Sequence, residues 1–118
     1  MCIFCKIVNK ELPSKIEYED EKYMAFYDIN PKAPIHLLII PKKHVENLND
    51  LDESDIGIVS DMALLAKNLA KKMGIDKSGY RIVINNGPDS GQEVYHIHMH
   101  LLGGNFLGSK LFAKIWKF

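Results

Sequence analysis

The sequence predicts an α+β fold with a mostly antiparallel sheet of five strands. Two observations lead to this prediction: short strand-like segments are joined by short turns, and one long helical pattern crosses over between them. The 118 residues contain no internal repeat and no linker. Because domains cluster at roughly 100–150 residues, we expect residues 1–118 to form a single domain.

A short helix and three strands are predicted in the N-terminal part of the chain. Ile3–Val8 carries apolar residues at helical spacing and predicts one or two helical turns. Ile16–Glu19 alternates apolar and charged residues, as an edge strand does, and residues 23–28 form a second strand. Residues 30–34 contain two prolines, which fix φ and remove donors, so no regular structure is expected there. Residues 36–41 are apolar on both faces, which indicates a strand covered on both sides.

The rest of the chain supplies the long helix and two more strands. Apolar residues recur at helical spacing from about residue 53 to residue 73, and Asp52 or Ser54 can cap this helix. Residues 80–85 form a fourth strand. Residues 94–102 form a fifth strand, which ends at Gly103 and Gly104.

The charge balance and the apolar runs restrict the possible partners. Lys and Arg number 15 and Asp and Glu number 15, so the formal net charge at pH 7 is zero. This balance argues against a nucleic-acid polymer as partner, because such proteins usually carry a basic excess. The longest uninterrupted apolar run, residues 37–40, is far shorter than the roughly 18 residues of a membrane span, and no signal peptide is visible. We therefore expect a cytoplasmic protein with no membrane partner.

Three histidines alternate along the fifth predicted strand, at His96, His98 and His100. Alternate residues of a strand share a face, so we expect these imidazoles on one side, about 6.6 Å apart. Ile97 and Met99 would then pack in the core on the other side. A row of imidazoles has no ordinary packing role and indicates a site. Two chemistries remain open: a catalytic zinc held by the histidines, or a histidine nucleophile acting on phosphorus or acyl groups.

Two cysteines, Cys2 and Cys5, are separated by two residues at the N-terminus. That spacing is typical of a metal knuckle or a redox pair, and two unrelated buried thiols are the remaining alternative. A redox pair usually follows a strand, and none is predicted before these cysteines. Metal binding is therefore favoured.

Four parts of the chain form a recognisable set: Asp28-Ile29-Asn30-Pro31-x-Ala33-Pro34-x-His36, Ile40-Pro41-Lys42-Lys43-His44, Asn85, and Gly91-Gln92-x-Val94-Tyr95-His96-x-His98-x-His100-Leu101-Leu102-Gly103-Gly104. Together they resemble the histidine triad (HIT) family, and in particular its Hint branch of purine nucleoside phosphoramidases. The resemblance implies a HIT-like fold, in which two copies of the five-stranded sheet pair into the ten-stranded sheet of a homodimer. Residues 107–118 form a divergent tail, which we expect to pack on the dimer or near the mouth of the active site.

The resemblance also implies an activity, the hydrolysis of adenosine 5′-phosphoramidates to AMP through a covalent nucleotidyl-histidine. His98 would be the nucleophile, and a backbone carbonyl of the triad strand would fix its tautomer. His100 would contact the phosphate, His36 would support the triad from the facing strand, and His96 would complete the triad. Two alternatives stay open: a metal-dependent hydrolase with the triad as zinc ligands, and a nucleotide-binding or interaction module.

The binding residues implied by the resemblance surround the phosphate, the ribose and the purine. Asp28 is suited to the ribose hydroxyls, while Asn85 and the backbone of Gly91, Gln92 and Glu93 would hold phosphate oxygens. The apolar base slot would consist of Ile3, Phe4, Ile7, Phe26 and Ile29. Glu93 departs from the small hydroxyl residue common in Hint-type proteins. The departure leaves the leaving-group step open, because a carboxylate repels a phosphate unless it is protonated or turned away.

A structural zinc is implied by four further matches. Cys2, Cys5, His44 and His96 correspond to the zinc ligands of those HIT proteins that bind structural zinc. Two thiolates and two imidazoles make a closed tetrahedral set, which stabilises a fold without touching the substrate. The chemistry itself is expected to require no cofactor.

Overall fold

The computed structural model describes residues 2–108, and the expectations for the rest of the tail lie outside the described residues. The architecture is the predicted one, a five-stranded sheet with one long helix and a short N-terminal helix. The elements are α1 (Ile3–Val8), β1 (Ile16–Glu19), β2 (Tyr23–Tyr27), β3 (Ile35–Pro41), α2 (Gly57–Lys72), β4 (Tyr80–Ile84) and β5 (Met99–Gly103).

The sheet has the strand order β1-β2-β3-β5-β4, and every neighbouring pair is antiparallel. The last of the described strands, β5, therefore lies between β3 and β4. In the β3–β5 pair, Leu38 lies opposite His100 and His36 lies opposite Leu102. Because residues directly opposite each other share a face, His36 and His100 are diagonal neighbours on one face of the sheet.

The opposite face of the sheet packs on α2. The two-residue period of a strand places Leu37 of β3, and Met99 and Leu101 of β5, on this face. They are buried in one cluster with Leu69 of α2. Ile97 joins the same cluster, so the prediction that it packs in the core is confirmed.

Helix α1 covers the face that carries the histidines. Phe4 and Ile7 pack there against Phe26 of β2 and against Leu38 and Ile40 of β3. Strand β3 is therefore buried by α2 on one side and by α1 on the other. This explains why its sequence is apolar on both faces, as the sequence predicted.

The fifth strand begins at Met99, five residues later than predicted from the start at residue 94. The backbone before it has another partner, since the N–H of Ile97 donates to the carbonyl oxygen of Val45 at 2.6 Å. A backbone group bonded there cannot also join the sheet ladder. Of the three alternating histidines, only His100 is a strand residue, because His96 lies in a bend and His98 lies in the irregular stretch between that bend and β5.

The long helix also begins later than predicted. Glu53–Asp55 forms a separate 3₁₀ turn, and α2 begins at Gly57. The side chain of Asp52 accepts a hydrogen bond from the backbone N–H of Ser54 at 2.9 Å, so the expected helix cap closes the 3₁₀ turn instead. Helix α2 has 16 residues, and within residues 2–108 no helix is long and apolar enough to cross a membrane.

Candidate functional site

His98 lies beneath α1, and the backbone holds one of its ring nitrogens. Its Nδ1 donates to the carbonyl oxygen of His96 at 2.8 Å. A carbonyl can only accept, so Nδ1 carries the proton and Nε2 keeps its lone pair. Burial lowers the pKa of His98, which keeps the ring neutral at pH 7. The ring of Phe4 packs edge-on against it, with 5.1 Å between the ring centroids.

His100 and His36 are buried side by side on β5 and β3. The Nε2 of His36 lies 3.0 Å from the Nδ1 of His100 and 3.6 Å from the carboxylate of Asp28. Burial, with the neighbouring His98 and His36, lowers the pKa of His100 to about 3. Burial also lowers the pKa of His36, although the carboxylate of Asp28 opposes this effect. Both rings are therefore neutral near pH 7.

Two adjoining cavities open beside these histidines. The larger has a volume of about 570 Å³ and a mostly apolar lining. The smaller, of about 220 Å³, has His98, His100 and Glu93 in its wall. The residues that line both cavities are Ile3, Phe4, Asp28, Ile29 and Leu38. Because they share these walls, the two cavities form one groove.

The groove offers different chemistry along its length. The larger compartment suits a flat apolar ring, and the smaller one has the neutral His98 ring in its wall. Asp28 borders both compartments, and its carboxylate can accept hydrogen bonds from hydroxyl groups bound between them. The arrangement can therefore bind a group that is apolar at one end and carries an electrophile at the other.

Most of the predicted binding residues meet in this groove. The predicted lining residues found there are Ile3, Phe4, Ile7, Phe26, Asp28, Ile29 and Glu93. Leu38 was missed, although strand alternation was the signal that could have found it, since it follows His36 by two residues. The other lining residues not predicted are Leu12, Pro13, Ser14, Lys15, Tyr27, Asn30, Lys32 and Val94. Most of them lie in turns, whose packing no local pattern reveals.

Asn85, Gly91 and Gln92 do not line either compartment. The buried side chain of Gln92 instead accepts from the N–H of Gly87 at 2.8 Å and donates to the carbonyl oxygen of Glu46 at 2.7 Å. It therefore holds the loop before the histidines in shape. The Nδ2 of Asn85 is buried and has no hydrogen-bond partner among the described residues.

Cys2, Cys5, His44 and His96 form a second cluster, at the N-terminal end of α1. Each sulfur lies 3.3 to 3.6 Å from the Nδ1 atoms of the two histidines, and those Nδ1 atoms lie 3.2 Å apart. Zinc bonds of about 2.3 Å to sulfur and about 2.0–2.1 Å to nitrogen, at tetrahedral angles, imply about 3.6 Å between sulfur and nitrogen and about 3.3 Å between nitrogens. The four side chains thus have the spacing of a closed tetrahedral zinc centre.

The orientation of His96 also fits metal binding. Its Nε2 donates to the carbonyl oxygen of Pro41 at 2.7 Å, so the Nδ1 lone pair faces the two thiols. Burial lowers the pKa of His96 to about 4, which keeps that lone pair available. The backbone N–H of Cys5 donates to the sulfur of Cys2 at 3.2 Å, which helps to fix the position of that sulfur beside the histidines. The chemistry of the donors therefore agrees with their spacing.

Comparison with known proteins identifies the family. A sequence model of the HIT domain matches residues 9–107, which include His36, His98 and His100. The chain belongs to the HIT domain family. The matched range begins after Cys2 and Cys5, so two of the four metal-type side chains lie outside it.

Individual HIT relatives match nearly the whole chain. The purine nucleoside phosphoramidase of Escherichia coli strain K12 is 46% identical over 112 residues, which are 95% of this chain and 94% of that protein. The 14 kDa zinc-binding protein of Zea mays is 53% identical over 104 residues, 86% of this chain and 80% of that protein. The crystal structure of a HIT family hydrolase from Legionella pneumophila superimposes with a TM-score of 0.90 at 46% identity and covers 93% of this chain and 98% of that one. The expected HIT fold and the expected hydrolase class are confirmed.

Proposed function

We propose that the chain is a purine nucleoside phosphoramidase, which hydrolyses adenosine 5′-phosphoramidates to AMP and an amine. The observation that carries the proposal is the neutral His98 ring, whose Nδ1 is held by the His96 carbonyl and whose side chain lines the smaller cavity. That cavity is continuous with an apolar compartment large enough for a purine. The Escherichia coli relative bears the name of this activity.

The reaction would proceed in two displacements at the α-phosphorus. First, the Nε2 lone pair of His98 attacks phosphorus, the P–N bond to the amine breaks, and the amine leaves with a proton taken from solvent. Then water attacks phosphorus, the bond to Nε2 breaks, and AMP leaves as the water gives up its proton. The bond from Nδ1 to the His96 carbonyl stabilises the positive charge that attack creates on the ring. Two easier steps replace one difficult step.

The phosphate oxygens would be bound by donors around the smaller cavity. His100 has its ring centroid 5.0 Å from that of His98 and would donate to a phosphate oxygen as charge develops there. We assign the same task to the buried Asn85 amide and to the backbone N–H groups of residues 91–93. Glu93 already borders the smaller cavity, whereas the groups of Asn85, Gly91 and Gln92 would reach the oxygens once the bound nucleotide draws these segments inward.

The nucleoside would occupy the larger compartment. The Asp28 carboxylate would accept hydrogen bonds from the two ribose hydroxyls, and the purine would lie against Ile3, Phe4, Ile7, Phe26 and Ile29. Burial of a flat apolar ring in such a slot needs no charged partner. Glu93 borders the phosphate end, so the leaving amine would depart past a carboxylate. A carboxylate at that position favours a positively charged leaving group.

Mass spectrometry of enzyme quenched during turnover tests the proposal directly. Adenosine 5′-phosphoramidate should give a protein species heavier by one adenylyl group, located on the peptide that contains His98. AMP released without any adduct, or an adduct on another residue, would contradict the assignment. An exposed variant such as Ile56→Ala provides a control that should form the same adduct.

We propose that the second cluster binds a structural zinc and that the hydrolysis needs no metal. The zinc would connect the N-terminus, His44 and the segment at His96. The free energy of binding to these four ligands would then stabilise the folded chain. The Zea mays relative is named for zinc binding. Elemental analysis of protein purified under reducing conditions without added metal should find one zinc per chain. Substantially less in repeated fresh preparations would count against the site.

A metal-dependent mechanism at the triad has less support. His98 is absent from both groups of described side chains that could hold a metal. The second of these groups contains Asp28, His36 and His100, but a nitrogen of each histidine already shares a hydrogen bond with the other. A chelator should therefore leave the rate of AMP release unchanged for as long as the protein stays folded.

We also propose that two copies pair through β4 into a ten-stranded sheet. Strand β4 is an edge of the described sheet, and its Tyr80 and Ile82 are 38% and 43% exposed. An uncovered apolar edge strand readily pairs with another strand. Light scattering after size-exclusion chromatography should give the mass of a dimer, and Ile82→Lys should shift it toward the monomer. A monomeric wild-type protein at micromolar concentration would exclude this pairing.

A further inference from the structure

The loop between β2 and β3 supplies a hydrogen bond that determines which nitrogen of His36 carries the proton. The backbone N–H of Lys32 donates to the Nδ1 of His36 at 3.0 Å. Only a nitrogen with a lone pair can accept, so the proton of the neutral His36 ring lies on Nε2. Burial, which lowers the pKa of His36, keeps this ring neutral.

The proton on His36 Nε2 in turn decides the state of the next ring. This nitrogen lies 3.0 Å from the Nδ1 of His100 and 3.6 Å from the Asp28 carboxylate, so it faces two acceptors. Because His36 Nε2 donates, His100 Nδ1 must offer a lone pair. A neutral His100 then carries its only proton on Nε2, on the opposite edge of the ring.

We propose that the backbone amide of Lys32 is a positioning group, which acts through His36 to hold His100 as a neutral Nε2–H donor toward the substrate phosphate. The phosphate part of this statement rests on the proposed function. The proton positions do not, since they exist in the protein without substrate. With the opposite tautomer, His100 would present a lone pair to the phosphate oxygen and repel it.

The loop is built to hold this amide in place. The N–H of Asn30 donates to the Asp28 side chain at 2.8 Å, and the N–H of Asp28 donates to the carbonyl oxygen of His36 at 3.0 Å. Prolines precede and follow the Lys32–Ala33 pair and restrict the backbone. Since the amide and not the ammonium group contacts His36, the proposed role belongs to the backbone, and a proline at position 32 would remove it.

Nitrogen-15 NMR of the zinc-loaded protein, labelled at histidine, measures the proton positions directly. The signals of His36 and His100 can be assigned with the His36→Asn and His100→Asn variants. At pH 7.5, taken as roughly one unit above the ordinary histidine pKa, both rings should give the shifts of a neutral Nε2–H tautomer. A neutral Nδ1–H form or an imidazolium at either residue overturns the proposal, whatever the enzyme's substrate proves to be.

The Lys32→Pro variant tests the role of the amide, with Lys32→Ala as the matched change that keeps the N–H. Lys32→Ala should keep the Nε2–H tautomer of His100, whereas Lys32→Pro should lose it or show a mixture. For Lys32→Pro, kcat should fall by about 10- to 1,000-fold with a much smaller change in KM, as for the loss of one donor to a developing charge. If this variant does not fold, an amide-to-ester replacement at position 32 by chemical ligation removes the same donor. A folded Lys32→Pro or ester protein with the wild-type tautomer and wild-type kcat refutes the proposal.

Failure of the proposed function would look different. If no AMP appears from any phosphoramidate although the NMR shifts are as expected, the proton arrangement stands and the assigned reaction is wrong. If AMP is released but His100 carries its proton on Nδ1, the reaction stands and the role of the Lys32 amide is wrong.

Discussion

The backbone of His96 orients the ring of His98, while the side chain of His96 belongs to the cluster of Cys2, Cys5 and His44. The carbonyl oxygen of His96 accepts the Nδ1–H of His98 at 2.8 Å, while the imidazole of His96 faces the thiols of Cys2 and Cys5. The residue whose carbonyl orients the proposed nucleophile is thus also a proposed zinc ligand. A single backbone hydrogen bond therefore joins the two clusters.

Replacing a thiol should weaken the fold. We expect Cys5→Ser to lose zinc and to lower the free energy of unfolding by at least about 2 kcal/mol, because a ligand present far above its dissociation constant stabilises the folded state by that order. The measurement is urea denaturation with and without a chelator. The chelator should destabilise the wild type but not Cys5→Ser. Equal effects of chelator on both proteins would show that no zinc is bound at this cluster.

The nucleophile should be indispensable while nucleotide binding survives its loss. For His98→Asn, we expect AMP release from adenosine 5′-phosphoramidate to fall by at least about 10³-fold, as for other enzymes without their nucleophile. AMP itself should still bind with a similar dissociation constant by calorimetry, because the apolar compartment is unchanged. Retention of more than a few per cent of the activity would show that another group attacks phosphorus.

Ile29 should contribute to nucleotide binding without contributing to stability. It is 88% exposed although it lines both compartments of the groove. Ile29→Ala should raise KM by about 3- to 20-fold, because apolar contact with the base is lost, and should leave kcat close to the wild-type value. The free energy of unfolding should change by no more than about 0.5 kcal/mol.

Ile56→Ala is the matched control for Ile29→Ala. Ile56 is 64% exposed and does not line the groove. Its replacement should leave both KM and kcat unchanged. If both variants raise KM equally, the effect of Ile29 does not arise from contact with the nucleotide.

Acid should destabilise the protein in a range set by His100. The pKa of His100 is about 3 in the folded chain and about 6.5 in an unfolded one. Between these values the unfolded chain binds a proton that the folded chain does not, so the free energy of unfolding falls as the pH drops from about 6.5 toward 3. One such group contributes up to about 1.4 kcal/mol per pH unit.

The His100→Asn variant isolates this contribution. Between about pH 6 and pH 4, its free energy of unfolding should depend less steeply on pH than that of the wild type. The difference in slope should correspond to the uptake of up to one proton on unfolding. Loss of metal at low pH affects both proteins and is removed by the comparison. Parallel curves for the two proteins would mean that His100 is not buried in the neutral form.

Local patterns predicted an element well where the spacing of its apolar residues was enough to identify it. The mixed apolar and charged residues of Ile16–Glu19, and the two-sided apolar strand ending at Pro41, both appear as predicted. The start of β5 was wrong because Val45, far away in the chain, accepts the backbone N–H of Ile97. The start of α2 was wrong because Asp52 closes a 3₁₀ turn, and either use of a cap residue looks the same in a sequence.

By itself, the sequence determined the side-chain alternation that puts His98 and His100 on the side opposite Ile97, and the close pair Cys2 and Cys5. Both follow from spacing along a few residues, which the backbone geometry of a strand or a helical turn converts directly into position. It also determined the apolar stripe of α2 and the zero net charge.

Only the tertiary structure decided which distant groups meet. His36 reaches His100 across 64 positions because β5 inserts between β3 and β4, and Cys2 reaches His96 across 94 positions because α1 folds over the same face. The contact between the Lys32 amide and His36 depends likewise on how one loop closes. Such contacts depend on strand order and on the packing of whole elements, and these are set by the burial of both faces of the sheet at once rather than by any local pattern.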